Sequence, residues 1–209
     1  PGLAAIFEDA GGVVVTSAPG RRCSTGEILA AIRRTDAAEV VVLPNDPHSV
    51  AVAEAAAQEA RDGSTRVAVI PTRAQVQGLA AIAVHEPGRS FDDDVVHMTA
   101  AAGHARHGAV TVAARDAMTM AGPCRAGDSL GVVEGDFAVV GHDLAAAAVE
   151  VVDRLVGGGG EMVTLVTGAE CDAGLVGAVV DHLRASRPDV DTVVHDGGQQ
   201  RYPLLIAVE

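Results

Sequence analysis

The chain has 209 residues, 48% of them hydrophobic, with a formal net charge of -13 and three cysteines. That length buries a core as one large domain or two small ones, and the acidic excess excludes a phosphate-backbone binder, which needs surplus cations to release counterions. No apolar run approaches the roughly 20 residues of a membrane span, no charged-then-apolar start suggests a signal peptide, and the cysteines are too scattered for a disulfide framework, so a cytoplasmic location is expected.

Helical and strand signals alternate through the first half. Leu3, Ile6 and Phe7 mark a helix face from Gly2 to Ala10, stopped at Gly11-Gly12. Val13–Thr16 reads as a strand covered on both faces. Ser24 with Glu27 forms a capping-box pattern before Ile28, Leu29 and Ile32. Glu39–Leu43 and Arg66–Ile70 read as buried strands, each broken by a proline. The helix of Ser49–Arg61 lies between them, and further helices are predicted over 75–85 and 92–107. Strand-turn-helix units of this length predict a parallel sheet with crossover helices.

The character changes near Gly108. Val110–Ala114, Ser129–Val133 and Phe137–Val140 read as short strands in antiparallel hairpins. Asp143–Val156 reads as a helix stopped by four glycines. Met162–Thr167, a helix over 172–186, Val190–His195 and Leu204–Val208 complete the pattern. Residues 1–107 carry 9 arginines against 13 acids, and residues 108–209 carry 6 against 15. The expected fold is α/β: a Rossmann-like parallel-sheet lobe over 1–107, then a smaller α+β lobe with antiparallel strands over 108–209.

All fifteen basic residues are arginine. A Walker-type phosphate loop, a Schiff-base amine and a catalytic lysine are therefore excluded within this chain. Gly127-Asp-Ser-Leu-Gly131 matches the G-x-S-x-G nucleophile pattern, but no helix is predicted behind Ser129, and a plain β-turn is the economical reading against a serine hydrolase. His97, His104 and His107 fall near one face of the predicted helix; His97 and His104 lie too far apart to share a metal, His104 and His107 could supply two ligands but no third is indicated, and a solvated face is the economical reading. Asp92-Asp93-Asp94 reads as a helix start rather than a magnesium site. The loop Thr167–Gly174 joins strand to helix, where Glu170 and Asp172 oppose an anion, so Asp172 is expected as an N-cap. Cys171 sits at that helix start, opposed by the same acids.

The strand-end loops are more suggestive. Leu43-Pro-Asn-Asp46 and Ile70-Pro-Thr72 each follow a parallel strand, the end at which α/β sheets bind ligands or partners. Asn45 (the chain's one asparagine) and Thr72 would present polar groups there, with Gln77-Gly78 close behind; ordinary turn and cap chemistry is the competing reading. Gly197-Gly-Gln-Gln-Arg-Tyr-Pro203 is a polar glycine loop between the last two strands, readable as a long hairpin. Arg201 and Tyr202 in it suit an exposed contact surface.

Val-Val-Leu-Pro-Asn-Asp (41–46), Val-Ile-Pro-Thr-Arg (69–73) leading to Gln77-Gly-Leu-Ala-Ala81, Ala-Arg-Asp (114–116) and Gly-Gly-Gln-Gln-Arg-Tyr-Pro (197–203) occur in that order. Together they resemble the C-terminal domain of the ATP-binding component of bacterial fatty acid kinase, from a dihydroxyacetone kinase-like family with a DegV-like fold. The resemblance covers essentially the whole chain. It implies a domain that helps dock a DegV-like protein carrying the fatty acid, while an N-terminal domain outside this chain binds ATP and Mg²⁺ and the whole enzyme makes an acyl phosphate. It marks Asn45, Asp46, Thr72, Gln77, Gly78, Arg115, Asp116, Gly197, Gly198, Gln199, Arg201 and Tyr202 as ligand- or partner-contacting positions.

Neither the Asp-rich metal site of the family's ATP domain nor the Cys and His cluster of its middle domain is recognisable here, and no catalytic residue, metal or cofactor is assigned to this chain. The family usually has Asn where Asp46 stands and Pro where Gln200 stands, and it has a strand before the first helix. The start at Pro1 therefore suggests a piece of something longer. Docking is the expected role, with the rest of the parent kinase and a homodimer partner as further expected contacts. Direct binding of a small molecule or acyl chain near Asn45, Thr72 and Gln77 is the alternative.

Overall fold

A computed structural model describes residues 2–16, 21–61 and 65–209. The chain divides into two units, one of Ala5–His104 and one of Ala105–Glu209 together with residues 2–4.

The Ala5–His104 unit is mostly helical. After α1 (Gly2–Asp9), helix α2 (Thr25–Arg34) begins at the capping box expected from sequence: Glu27 N–H donates to Ser24 Oγ at 3.3 Å, and Ser24 N–H donates to the Glu27 carboxylate at 2.8 Å. Strands β1 (Glu39–Val42) and β2 (Arg66–Val69) pair in parallel, joined by α3 (Val50–Ala60). Helices α4 (Gln75–Ala83) and α5 (Phe91–His104) follow. Ile28, Leu29 and Ile32 of α2 pack on Ala53, Ala56 and Ala57 of α3 and on Val67 of β2, and the small alanine face lets the layers approach closely. A second cluster joins Ile70, Ala81, Met98 and Ala102.

Three expectations are corrected in this half. Val13–Thr16 forms no strand: among the described residues it enters no ladder, and Val13 is 57% exposed. An apolar run signals burial but does not guarantee a neighbour to pair with. Strands β1 and β2 are half-buried rather than covered on both faces, as a two-stranded sheet leaves its edges open. Helix α5 ends at His104, and His107 lies in strand β3 (Arg106–Val112), so the three histidines share no helix face. Pairing of β3 begins at Arg106, which draws the chain into the sheet one turn earlier than its apolar pattern implies.

The other unit is built on a six-stranded sheet in the order β7-β6-β3-β10-β8-β9. Its strands are β3, β6 (Ser129–Val133), β7 (Asp136–Gly141), β8 (Met162–Gly168), β9 (Asp191–Gln199) and β10 (Leu204–Val208). All neighbours are antiparallel except β8 and β9. A small hairpin, β4 (Ala117–Thr119) with β5 (Gly122–Cys124), forms its own ladder and packs on the sheet through Cys124 against Leu130 and Val140.

Helix α6 (Leu144–Val156) packs on the sheet and on α7 (Ala173–Ser186), enclosing Val110, Val151, Leu155, Leu165, Leu183 and Ile206. Close approach depends on two glycines. A Cβ at Gly108 would stand 2.6 Å from Val151, and one at Gly131 would stand 2.5 Å from it. The Asp143 and Asp172 carboxylates cap α6 and α7 by accepting first-turn N–H groups, the latter as expected.

The loop after β9 is not a hairpin. Strands β9 and β10 are separated in the sheet by β8, so residues 200–203 cross over that strand, and Gly197–Gln199 belong to β9 itself. The glycines there serve a bulge: the β8–β9 register shifts between Thr167 and Gly168, with Gly198 at φ +59°.

Candidate functional site

Within the Ala5–His104 unit the strand-end residues come together. Leaving β1, the backbone turns into the left-handed region at Asn45 (φ +58°), a conformation asparagine tolerates better than most residues. Its N–H donates to Thr72 Oγ1 at 2.9 Å, and the Thr72 hydroxyl donates back to Asn45 Oδ1 at 2.8 Å. Thr72 is 1% exposed. The Asn45 amide lies so close to α4 that a Cβ on Gly78 would stand 2.1 Å from Oδ1. Gln77 accepts from Arg73 N–H at 2.8 Å and donates to the Ala102 carbonyl at 3.2 Å. Asp46 turns the other way, accepting from the Ser49 hydroxyl at 2.8 Å. Asn45, Thr72 and Gly78 therefore form a lock between two strand-end loops and the start of α4.

In the other unit the predicted residues fall in two places. Asp116 Oδ1 accepts from Ala126 N–H at 2.8 Å and ties the start of the β4–β5 hairpin to the loop after it; Arg115 beside it is exposed. At the β9 bulge Gln199 Nε2 donates to the carbonyls of Val166 and Tyr202, at 3.0 and 3.1 Å, while its own backbone carbonyl accepts from Ala169 N–H. A Cβ at Gly197 would stand 2.2 Å from the Gln199 amide oxygen, which is buried. Beyond the bulge the Arg201 guanidinium lies over the Tyr202 ring, 5.2 Å from its centroid, and Thr111 Oγ1 donates to the Arg201 carbonyl. Gln199 is thus a brace, and Arg201 the outward-facing member.

The remaining motifs resolve simply. Ser129 is the first residue of β6 and 4% exposed, so it stands in no elbow; the plain-turn reading of Gly127–Gly131 is corrected too, since the chain turns at Ala126-Gly127 and Ser129–Gly131 belong to the strand. Burial and the neighbouring Asp172 push the Cys171 thiol up, so the helix start does not activate it. Among the described residues no group of three His, Cys, Asp or Glu side chains is placed to hold a metal ion. No helix among them is long and apolar enough to cross a membrane.

Two networks escaped the sequence reading. Asp94, expected only as a helix-start acid, is 4% exposed. Its carboxylate holds His85 Nδ1 at 2.5 Å, Glu86 N–H at 3.1 Å and Arg89 at 2.9 Å, clamping the α4–α5 turn. Burial opposes its ionisation, but these hydrogen bonds and the Arg89 charge prevail and hold its pKa below the usual carboxylate range. Asp128 pairs with His142, with Nδ1 and Oδ1 3.1 Å apart. The signal for the first was local, a His–x₈–Asp spacing around Arg89; the second spans a β-hairpin and has no sequence signature.

Comparison with known proteins places this geometry. The fatty acid kinase FakA-like C-terminal family matches residues 1–209. An uncharacterised protein of Staphylococcus epidermidis is 24% identical over all 209 residues, which cover 37% of its length, and one of Staphylococcus aureus is 22% identical, with 38% of its length covered. The chain thus spans little more than a third of the curated relatives it matches. Among solved structures, dihydroxyacetone kinase of C. freundii superimposes with a TM-score of 0.66 at 16% identity, over 88% of this chain and 41% of that one. A DegV family protein of Corynebacterium glutamicum gives 0.65 at 13%, over 98% and 91%. The Streptococcus pneumoniae fatty acid kinase B3 protein, loaded with linoleic acid, gives 0.61 at 13%, over 90% and 76%. At these identities the structures establish a shared α/β fold.

Proposed function

Since the chain belongs to the fatty acid kinase FakA-like C-terminal family, we propose that it is the docking and assembly domain of a fatty acid kinase-like enzyme. It engages a DegV-like protein that carries the fatty acid. ATP and Mg²⁺ are held elsewhere in the parent, which forms the acyl phosphate. This chain's residues bind and orient, and no chemical step is assigned to them.

The supporting observation is how the loop residues use their polar groups. Asn45 and Thr72 bond to each other, and Gln199 braces its own loop, so both loops are stiffened from within. Rigid loops that present an arginine beside a tyrosine suit a protein contact, because little conformational entropy is lost on binding. The test is calorimetric titration with a fatty-acid-loaded DegV-like protein from the same genome, ATP absent. Saturable binding is expected, weakened about tenfold or more by Arg201→Ala. No binding by a folded sample would overturn the proposal.

The second reading, acyl-chain binding by this chain alone, is favoured by its likeness in fold to a protein loaded with linoleic acid. Lipid co-purifying with the chain, detected by native mass spectrometry, is the outcome that would carry it.

A further inference from the structure

The edge of a sheet is a row of unpaired N–H and C=O groups, which folded proteins either blunt or put to use. Two edges of this molecule are blunted. At β2 the Arg61 guanidinium donates to the Val67 carbonyl at 3.0 and 2.7 Å. At β7 a residue of the β4–β5 turn occupies the edge, Ala121 N–H donating to the Phe137 carbonyl at 3.3 Å. The β6–β7 register also shifts between Gly131 and Val132, which bends that edge.

Strand β9, at the opposite end of the six-stranded sheet, is left open. Among the described residues its one ladder partner is β8, and the register runs unbroken from Asp191 to Asp196. Asp191 N–H donates to the Glu161 carbonyl at 2.8 Å, so the backbone groups of Asp191, Val193 and His195 face β8. Those of Thr192 and Val194 alternate with them and face outward, where no described residue bonds to them. The open stretch ends at Asp196, whose carbonyl oxygen a Cβ on Gly2 would strike. Val193 is 38% and Val194 45% exposed, and residues 191–196 include no arginine or proline to discourage pairing.

We propose that β9 pairs antiparallel with β9 of a second copy of this chain, about a two-fold axis at Val193, joining the two sheets edge to edge. Antiparallel pairing sets residues of like backbone direction opposite each other, so the axis must pass through a residue and not between two. With the axis at Val193, Thr192 and Val194 exchange both backbone bonds with Val194 and Thr192 of the second copy. Asp191, Val193 and His195 then fall in the non-hydrogen-bonded positions, where facing side chains stand nearest. Val193 meets Val193, and Asp191 meets His195 on either side of it. An imidazole donates to a carboxylate whether neutral or charged, so a polar lock flanks each end of an apolar centre. An axis at Val194 would instead face Val193 with His195 and Asp191 with Gly197, and both locks would be lost. The two-fold pairing consumes both β9 edges, so assembly closes at the dimer rather than running on as a fibre.

The test is sedimentation equilibrium of the chain from about 10 μM to about 1 mM, because so short a paired stretch gives a weak, concentration-dependent dimer. No other protein is present, so the outcome is independent of the docking reading. The mean mass should climb toward twice that of the chain, and hydrogen exchange at the Thr192 and Val194 amides should slow with concentration. Val194→Pro removes an outward N–H and no bond to β8, so it should weaken the dimer about tenfold or more, with the fold checked by circular dichroism. His195→Asp sets carboxylate against carboxylate and should weaken it about fivefold. Combining Asp191→His with His195→Asp should restore the affinity, which the axis at Val193 alone allows. A single chain mass across the range, a folded Val194→Pro that dimerises as tightly as the unaltered chain, or a double variant no tighter than His195→Asp would each overturn the proposal.

Discussion

The two units solve the same packing problem with different materials. In Ala5–His104 the core is thin: alanines of α3 against α2 and, among the described residues, a two-stranded parallel sheet. In Ala105–Glu209 six strands carry Val, Leu and Ile, with α6 nested on Gly108 and Gly131. The first unit must supplement apolar burial with polar devices: the Ser24 capping box, the Asn45–Thr72 lock and the Asp94 clamp. The second rests mainly on its apolar layer, with Gln199 at the β9 bulge and the Asp143 and Asp172 caps as local braces.

The largest effect that would sharpen this contrast is in the apolar layer. Ile206 is fully buried in the central strand β10, and Ile206→Ala should cost about 4 kcal/mol, seen as a fall in urea midpoint reported by probes in Ala105–Glu209. Next comes the polar clamp. Asp94→Asn should destabilise Ala5–His104 by about 2 kcal/mol, measured as loss of hydrogen-exchange protection in α4 and α5.

That contribution has a defined pH sign. The native pKa of Asp94 is depressed, so its stabilisation is complete above the unfolded carboxylate value of about 3.9 and is lost as acid titrates through the lower native value. The acid limb of a stability profile should flatten in Asp94→Asn, and an unchanged limb would break the comparison. The smallest effect is Ser24→Ala, about 1 kcal/mol, confined to α2. Glu27, held down to about 2 chiefly by Arg21 and then by Ser24, should lose part of that depression in the same variant, readable by NMR titration.

Much of the secondary structure was legible because its signals are local. The Ser24–Glu27 box, the Asp172 cap, and the prolines after β1 and β2 each act within a few residues. What escaped depends on neighbours across the sheet. Val13–Thr16 has the composition of a strand but no ladder to join. His107 continues a helical spacing yet is claimed by β3. The Gly197–Gln199 segment looks like a turn, and it is a bulge because β8 lies between β9 and β10. The same limit applies to the sites: Asn45 and Thr72 were readable as strand-end residues, but not that they would spend their polar atoms on each other. The Asp128–His142 pair was illegible, since its partners meet only through the β6–β7 register.

The arginine-only complement of cations has a consequence at the alkaline end. Every ion pair anchored by a long cationic side chain, from Arg66 with Glu39 and Asp92 to Arg89 with Asp94, uses a guanidinium that stays charged beyond about pH 12. With no lysine ammonium to discharge, the side chains left to titrate above neutrality are three thiols and one phenol. These ion pairs should therefore persist through mild base, and amine-directed acylation or cross-linking finds no side chain on this surface to modify.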